Sequence, residues 1–467
     1  MKNILIILLF CSFSIINAQN NSGFEKQTTA KLTEQLLAFP QEKIYLQTDK
    51  PYYVSGETIF FRIFLLHASL NQSVYISRYV YVELINPIDT LVQRQQICME
   101  DDNMYYGVLE LPEDMAEGSY RIRAYTHYME NTGEESFYSR PVFIASPNSA
   151  RIETESDFKF INDKQVAVSL RFKNRDTQNP AYPQNVKLTV GNNEKIIETK
   201  SDRNGLFYET INIKDSDKKR TLLIDYKNGP LSFSKYIHIP YRDTRPEISF
   251  YPEGGNLITG QINRVAFKVL LSDGSAAETS GSIYNSKGEL QTSFSTYHDG
   301  MGDFYLEPQT GESYYAQFDY QSQTIKTNLP PIKTNASSLQ VNRENEDLSI
   351  SVRKGENALA SKFYLLVHTQ GVPRFFEEWS STQEVKSLNK NLLKNGINHL
   401  MLLDENLNPL SARLVFYNDS KNYPMVELQT DKETYKPREQ IKLEIQLSNT
   451  KLDSIPATFA LSIKLWM

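Results

Sequence analysis

Glu42-Lys43-Ile44-Tyr45-Leu46-Gln47-Thr48-Asp49-Lys50-Pro51-Tyr52-Tyr53-Val54-Ser55-Gly56-Glu57-Thr58-Ile59-Phe60-Phe61 is the stretch from which the fold is read. Ile44, Leu46 and Thr48 alternate with Tyr45 and Gln47, the period of a half-buried strand. Pro51 holds Lys50 in extended geometry and withholds a ladder donor, so pairing stops there. Ser55-Gly56-Glu57 is a turn signal in which Gly56 is free to take positive φ. From Thr58 to Leu65 only Thr58 and Arg62 interrupt an apolar run, as in a strand at a sandwich core.

The phrase returns far downstream. Leu428-Gln429-Thr430-Asp431-Lys432 repeats Leu46-Gln47-Thr48-Asp49-Lys50 at an offset of 428 − 46 = 382. At that offset Tyr435 falls on Tyr53, Glu439 on Glu57 and Ile441 on Ile59, giving eight identities in fourteen positions. A shared supersecondary unit explains this, and the chain reads as a string of related β modules.

Leu46-Gln47-Thr48-Asp49-Lys50-Pro51-x-Tyr53-x-x-Gly56-Glu57 resembles the opening of the second macroglobulin domain of the α2-macroglobulin family. Leu111-Pro112-Glu113-Asp114-Met115-Ala116-Glu117-Gly118-Ser119-Tyr120-Arg121-Ile122-Arg123-Ala124 resembles the end of that domain. The resemblance is strong over 42–144 and looser to 467, and within it the chain looks like large secreted proteins of the Bacteroidetes type. It implies tandem macroglobulin-like or immunoglobulin-like β-sandwiches, often followed by a TonB-dependent-receptor plug domain. Asp49, Pro51, Tyr53, Gly56 and Glu57, with Asp431, Tyr435 and Glu439 in the repeat, are read as structural residues of the motif.

Lys2, the apolar run Ile4–Phe10 and Ile16-Asn17-Ala18 form a secretory signal with cleavage between Ala18 and Gln19. That run is too short to span a bilayer, and no later segment is apolar enough to do so as a helix. After cleavage only Cys98 remains, so each module must be stabilised by burial rather than by an intrachain disulfide. The 50 basic and 56 acidic residues are dispersed, so no nucleic-acid footprint stands out. Tyr and Phe total 28 + 24 = 52, a composition that suits pleated sheet.

Residues 25–39 are predicted helical, with Leu32, Leu36 and Phe39 on one face and Pro40 as the stop, forming a lead-in packed on the first module. Strands are expected near 43–48, 58–66, 79–85, 91–98, 105–111, 119–127 and 137–144, enough for a two-sheet sandwich. The chain thus divides into a signal peptide (1–18), a helical lead-in (19–41) and sandwiches at 42–145, 150–241, 247–331 and 336–420. The segment 423–467 is expected to be a sandwich cut short. Ser201-Asp202-Arg203-Asn204-Gly205-Leu206-Phe207 and His298-Asp299-Gly300-Met301-Gly302-Asp303-Phe304 read as hairpin turns.

No catalytic constellation emerges. Cys98 is read as a core cysteine, since Met99-Glu100-Asp101 is not the family's Cys-Gly-Glu-Gln thioester phrase. His67, His127, His238, His298, His368 and His399 show no metal-ligand spacing. Asp101-Asp102, Glu134-Glu135 and Glu377-Glu378 are read as solvated turn residues, and Asp404-Glu405-Asn406-Leu407-Asn408 as a hairpin rather than a Ca²⁺ loop. Tyr75, Tyr79 and Tyr81 share one strand face and are assigned to packing rather than to a sugar platform.

The expectation is a non-catalytic binding or scaffold protein of the cell envelope with no cofactor or metal. Its partners are proteins or peptides, either proteases or an outer-membrane receptor, at the periplasm or outer membrane. The favoured form is the extension of a TonB-linked outer-membrane system. The alternatives are a macroglobulin-like endopeptidase inhibitor and an envelope hydrolase whose site converges only in space.

Overall fold

The computed structural model describes residues 23–462 except 75, 101–103, 148–150, 192–196, 200–201, 203, 214–219, 243–244, 345–346, 359–361, 380–384, 420–422 and 449–458. The expected cleavage residues Ala18 and Gln19 lie outside the described residues, as do Tyr75, Asp101 and Asp102.

The fold is all-β: tandem macroglobulin-like and immunoglobulin-like sandwiches, with one α-helix, α1 (Gly23–Ala38), among the described residues. The first module contains β1 (Glu42–Thr48), β2 (Tyr52–Val54), β3 (Thr58–His67), β4 (Tyr79–Ile85), β5 (Leu91–Cys98), β6 (Tyr105–Glu110), β7 (Gly118–Tyr125) and β8 (Tyr138–Ala145). One sheet runs β1-β3-β6 and the other β2-β8-β7-β4-β5. The expected strands form within a residue or two. The short β2, which pairs in parallel with Phe143–Ala145, is the addition. Strict alternation in β3 buries Ile59, Phe61, Ile63 and Leu65 against Val82, Leu84, Ile122 and Ile144 of the facing sheet. Each such side chain, fully buried, contributes about 1.5–3 kcal/mol.

The next three modules repeat this arrangement. Each has a three-stranded sheet of its first, second and fifth main strands, facing a four-stranded sheet of the third, fourth, sixth and seventh. The second module sets 206–212, 165–174 and 152–162 against 197–199, 184–190, 221–228 and 231–238. Separate hydrophobic cores centre on Phe172 and Phe207, on Phe267 and Phe294, and on Phe363 and Leu365.

This topology corrects the two hairpin readings. The turn at Asp202–Gly205 joins a strand of the four-stranded sheet to one of the three-stranded sheet, and so does His298–Gly300 in the third module. Both turns form, with Gly205 at φ 70° and Gly300 at φ 71°. Asp202 Oδ1 accepts from the amides of Asn204 and Leu206 at 2.8 Å. The local signal for a tight turn is the same whether the chain folds back in one sheet or arches across the core. Burial of the following strand decides which.

The helix is corrected too. α1 lies on the outer face of the four-stranded sheet of the fourth module rather than on the first. Phe24 sits 5.3 Å from the Tyr364 ring, Glu25 Oε1 accepts from the Glu378 amide at 2.8 Å, and Leu32 joins the cluster of Tyr364, Leu366, Phe376 and Leu403. Phe39, expected on the buried face, is 71% exposed because the helix has ended at Ala38. Since α1 runs directly into β1, its docking brings the fourth module back against the first.

Candidate functional site: the repeated corner, the module junctions and an exposed aromatic face

The phrase that organises the sequence is a closed hydrogen-bond circuit. Tyr53 Oη donates to Asp49 Oδ1 at 2.5 Å and accepts from the Lys50 amide at 3.0 Å. Asp49 Oδ1 also accepts from the Phe60 amide at 3.0 Å, tying β3 back to the end of β1. Glu57 Oε2 accepts from the Val54 amide at 2.8 Å, and its other oxygen pairs with Lys50 at 2.7 Å. Partial burial of the Glu57 carboxyl works against its charge, but the Lys50 ammonium and the Val54 amide outweigh it and hold its pKa below the usual range. Burial and the Asp49 hydrogen bond push the Tyr53 hydroxyl well above its ordinary pKa, so it is a fixed donor. Gly56 takes φ 86°, as the turn requires.

The repeat rebuilds the circuit bond for bond. Tyr435 Oη donates to Asp431 Oδ1 at 2.6 Å and accepts from the Lys432 amide at 3.0 Å. Asp431 accepts from the Lys442 amide at 2.9 Å, Glu439 accepts from the Lys436 amide at 2.7 Å, and Lys432 pairs with Glu439. The counterpart of Gly56, at 56 + 382 = 438, is Arg438, which adopts φ 66°. The two flanking strands of the repeat, Met425–Thr430 and Leu443–Ser448, form a two-stranded sheet.

Polar side chains also join the modules. Between the first and second, Glu117 pairs with Lys235 at 2.8 Å and its carbonyl accepts from the Tyr236 amide at 2.8 Å. The Tyr236 ring meets Tyr120 edge-on at 6.1 Å. Between the third and fourth, Pro252-Glu253-Gly254-Gly255-Asn256 is the hinge piece. Asn256 Nδ2 donates to the Ser337 and Leu410 carbonyls at 2.9 and 3.2 Å. Ser338 and Ser411 donate to the Glu253 and Gly254 carbonyls at 2.6 Å. A side chain at Gly254 would place its Cβ 2.4 Å from Ser338 Oγ, so this junction needs glycine. Between the fourth and first, the Gln370 side-chain amide lies 3.2 Å from the Ala68 and Ser69 carbonyls, within donating distance when its nitrogen faces them.

The remaining polar candidates resolve as follows. Glu83, buried on the outer face of β4, is held by Arg94 at 2.5 Å, Arg123 at 2.7 Å and the Tyr125 hydroxyl at 3.0 Å. Burial disfavours its charge, yet the two guanidiniums and the hydroxyl hold its pKa below the usual range. Cys98, expected in the core, is exposed: β5 is an edge strand and its alternation turns Ile97 inward. Glu377 and Glu378 lie in the strand Val372–Trp379 rather than at a turn, paired with Lys386 and Lys362 respectively. The Asp404 loop is a hairpin, with Asp404 Oδ1 accepting from the Asn406 and Asn408 amides at 2.9 and 2.8 Å. His368 and His399 face each other across neighbouring strands, ring centres 4.8 Å apart, a pairing that sequence spacing does not show. Among the described residues no group of three His, Cys, Asp or Glu side chains is placed to hold a metal ion. No described helix is long and apolar enough to cross a membrane. Tyr81 packs against Tyr125 at 5.5 Å, while Tyr79 is exposed.

One surface stands apart. On the outer face of β1-β3-β6, Tyr45, Phe60 and Tyr106 are 52%, 56% and 57% exposed. The register sets Tyr45 beside Phe64, Arg62 beside Tyr106 and Phe60 beside Val108, so the rings form one patch. Arg62 lies over the Phe64 ring and donates to the carbonyl of Phe459 at 2.9 Å, so the chain at Phe459 touches the border of the patch.

Among solved structures, the chain is similar to trypsin-activated α2-macroglobulin from Escherichia coli, with 12% identity, 88% of this chain and 33% of that chain covered, and TM-score 0.35. It is similar to Salmonella α2-macroglobulin reacted with methylamine (11% identity, 89% and 32% covered, TM-score 0.34). It is also similar to the Escherichia coli adhesin FdeC (11% identity, 63% and 98% covered, TM-score 0.23). The chain spans about a third of the length of the α2-macroglobulins it matches. Residues 43–138, the first sandwich with its Asp49–Tyr53–Glu57 corner, match the MG2 domain family.

Proposed function

We propose that the chain is a non-catalytic, envelope-associated scaffold that binds protein or peptide partners. The observation that carries this is the exposed aromatic face of β1-β3-β6, centred on Tyr45, Phe60 and Tyr106. Contiguous apolar surface of this kind marks protein interaction sites. The occupant assigned to it is a peptide segment, whose backbone carbonyls Arg62 can receive as it receives that of Phe459. The polar residues of the corner and the junctions are engaged in holding the modules, which suits a scaffold. Export rests on the signal-like residues 1–18.

The outer-membrane form, an extension of a TonB-linked system, rests on the resemblance of 42–61 to Bacteroidetes-type secreted proteins. A macroglobulin-like endopeptidase inhibitor is the second reading, favoured by the MG2 match over 43–138. Crosslinking of the full-length protein in its native envelope, followed by mass spectrometry, tests both. Capture of an outer-membrane partner that is lost in Phe60→Asp and Tyr106→Ser variants supports the proposal. A caged or covalent protease complex, with capture unaffected by those variants, favours the inhibitor.

A further inference from the structure

At the junction of the fourth module with the first, a cleft of about 590 Å³ opens between the turn Ser69–Asn71 and the hairpin end Thr369–Gln370. That volume falls within the roughly 300–1,000 Å³ of small-molecule sites. Its lining is hydrophilic. Arg374, Lys390 and Lys394 contribute positive charge against one carboxylate, Asp419, and the amides of Asn71 and Asn391 add donors and acceptors.

Arg374 is placed there by a backbone irregularity. Val367 pairs with Phe375 and His368 with Pro373, so Arg374 is the extra residue of a β-bulge on an edge strand. A bulge re-aims the side chain it carries, and Pro373 is compatible with the strand because it sits at that bulge. The Arg374 Nε is buried with no hydrogen-bond partner among the described residues. Burial lowers its pKa from the ordinary arginine value. A buried guanidinium nitrogen left without an acceptor costs folding energy, which a ligand supplying that acceptor would recover.

We propose that this cleft binds a small hydrophilic carboxylate, its carboxyl group paired with the Arg374 guanidinium and its polar substituents hydrogen-bonded by Asn71 from the first module and Asn391 from the fourth. The planar guanidinium fork matches a carboxylate, and side-chain amides match hydroxyl or peptide groups. Two sources share this chemistry, an acidic sugar and the C-terminus of a short peptide. The site is independent of the aromatic face and does not rest on the function proposed for it.

The test is titration calorimetry on the full-length chain with glucuronate, diglycine and inorganic phosphate, against sodium chloride at matched ionic strength. Binding of glucuronate identifies a sugar acid and binding of diglycine a peptide terminus; either supports the proposal. Arg374→Met is expected to weaken that binding roughly 10- to 100-fold, the loss of hydrogen bonds to a charged group. Its ligand-free thermal stability should be equal to or above that of the parent, which a structural arginine would not give. Asn71→Asp keeps the acceptor for Lys43 Nζ and places a negative charge across the cleft, so it too should weaken binding. Phosphate binding alone, no binding beyond the chloride control, or full binding by both variants would overturn the assignment.

Discussion

Replacing Tyr53 by Phe removes one oxygen and leaves the rest of the buried ring in place. That oxygen donates to Asp49 Oδ1 and accepts from the Lys50 amide. Loss of the hydrogen bond to a charged acceptor costs about 1.5–3 kcal/mol, and an amide left without a partner adds about 1 kcal/mol or more. Asp49 keeps the Phe60 amide as a donor, which limits the loss. The expected destabilisation of the first module is therefore about 2–4 kcal/mol. Tyr435→Phe provides the internal control: the same bonds are broken, but Tyr435 is only half-buried, its two hydrogen bonds are exposed and water replaces the hydroxyl, so the cost should stay below about 1 kcal/mol. Because neither Trp379 nor Trp466 lies in the first module, the readout is hydrogen–deuterium exchange of peptides spanning 43–66, compared with peptides spanning 425–448. Equal, small effects at both corners would refute the claim that the buried circuit stabilises the module.

At the turn itself, Gly56→Ala should cost about 1 kcal/mol, because φ is 86° and the new Cβ would meet Glu113 Cγ at 3.3 Å; Arg438→Gly, relieving φ 66° at the matching position, should stabilise the repeat by a similar amount, both read by exchange. Glu83→Gln leaves two guanidiniums facing an uncharged amide and should cost about 2–3 kcal/mol; this is less than for a fully buried pair because Arg94 is half exposed, and unchanged protection of 79–85 would count against it. His368 and His399 are both held below the ordinary histidine pKa, chiefly by burial. The unfolded chain thus takes up protons first. Stability of the fourth module should be full above about pH 6.5 and decline as pH falls through the lower folded values; exchange in 363–369 that does not change between pH 7.5 and 5.5 contradicts this. Phe24→Ala should loosen α1 and speed proteolysis within 23–41, whereas a helix docked elsewhere would show no change.

The strands of the first module were legible because period-two alternation in Ile44–Thr48 and Ile59–Leu65 is a local property, and the corner because its residues bond to one another within about a dozen positions. The repeat at 382 residues' distance was legible for the same reason: a circuit closed on itself needs the same residues wherever it is built. Local signals are silent on what lies across a gap. The apolar stripe of α1 shows that a face is covered, and only the folded chain shows that Tyr364 and Phe376 cover it. The turns at Gly205 and Gly300 carry hairpin residues, yet they arch between sheets, because the core rewards burial of the next strand on the opposite layer. Cys98 turned outward through one step of strand parity, and the facing of His368 and His399 followed from pairing register. Arg374 reached its cleft through a single unpaired residue in an edge strand. Register, layer and inter-module contact are set by the sum of many weak long-range contacts, and no short window of sequence contains that sum.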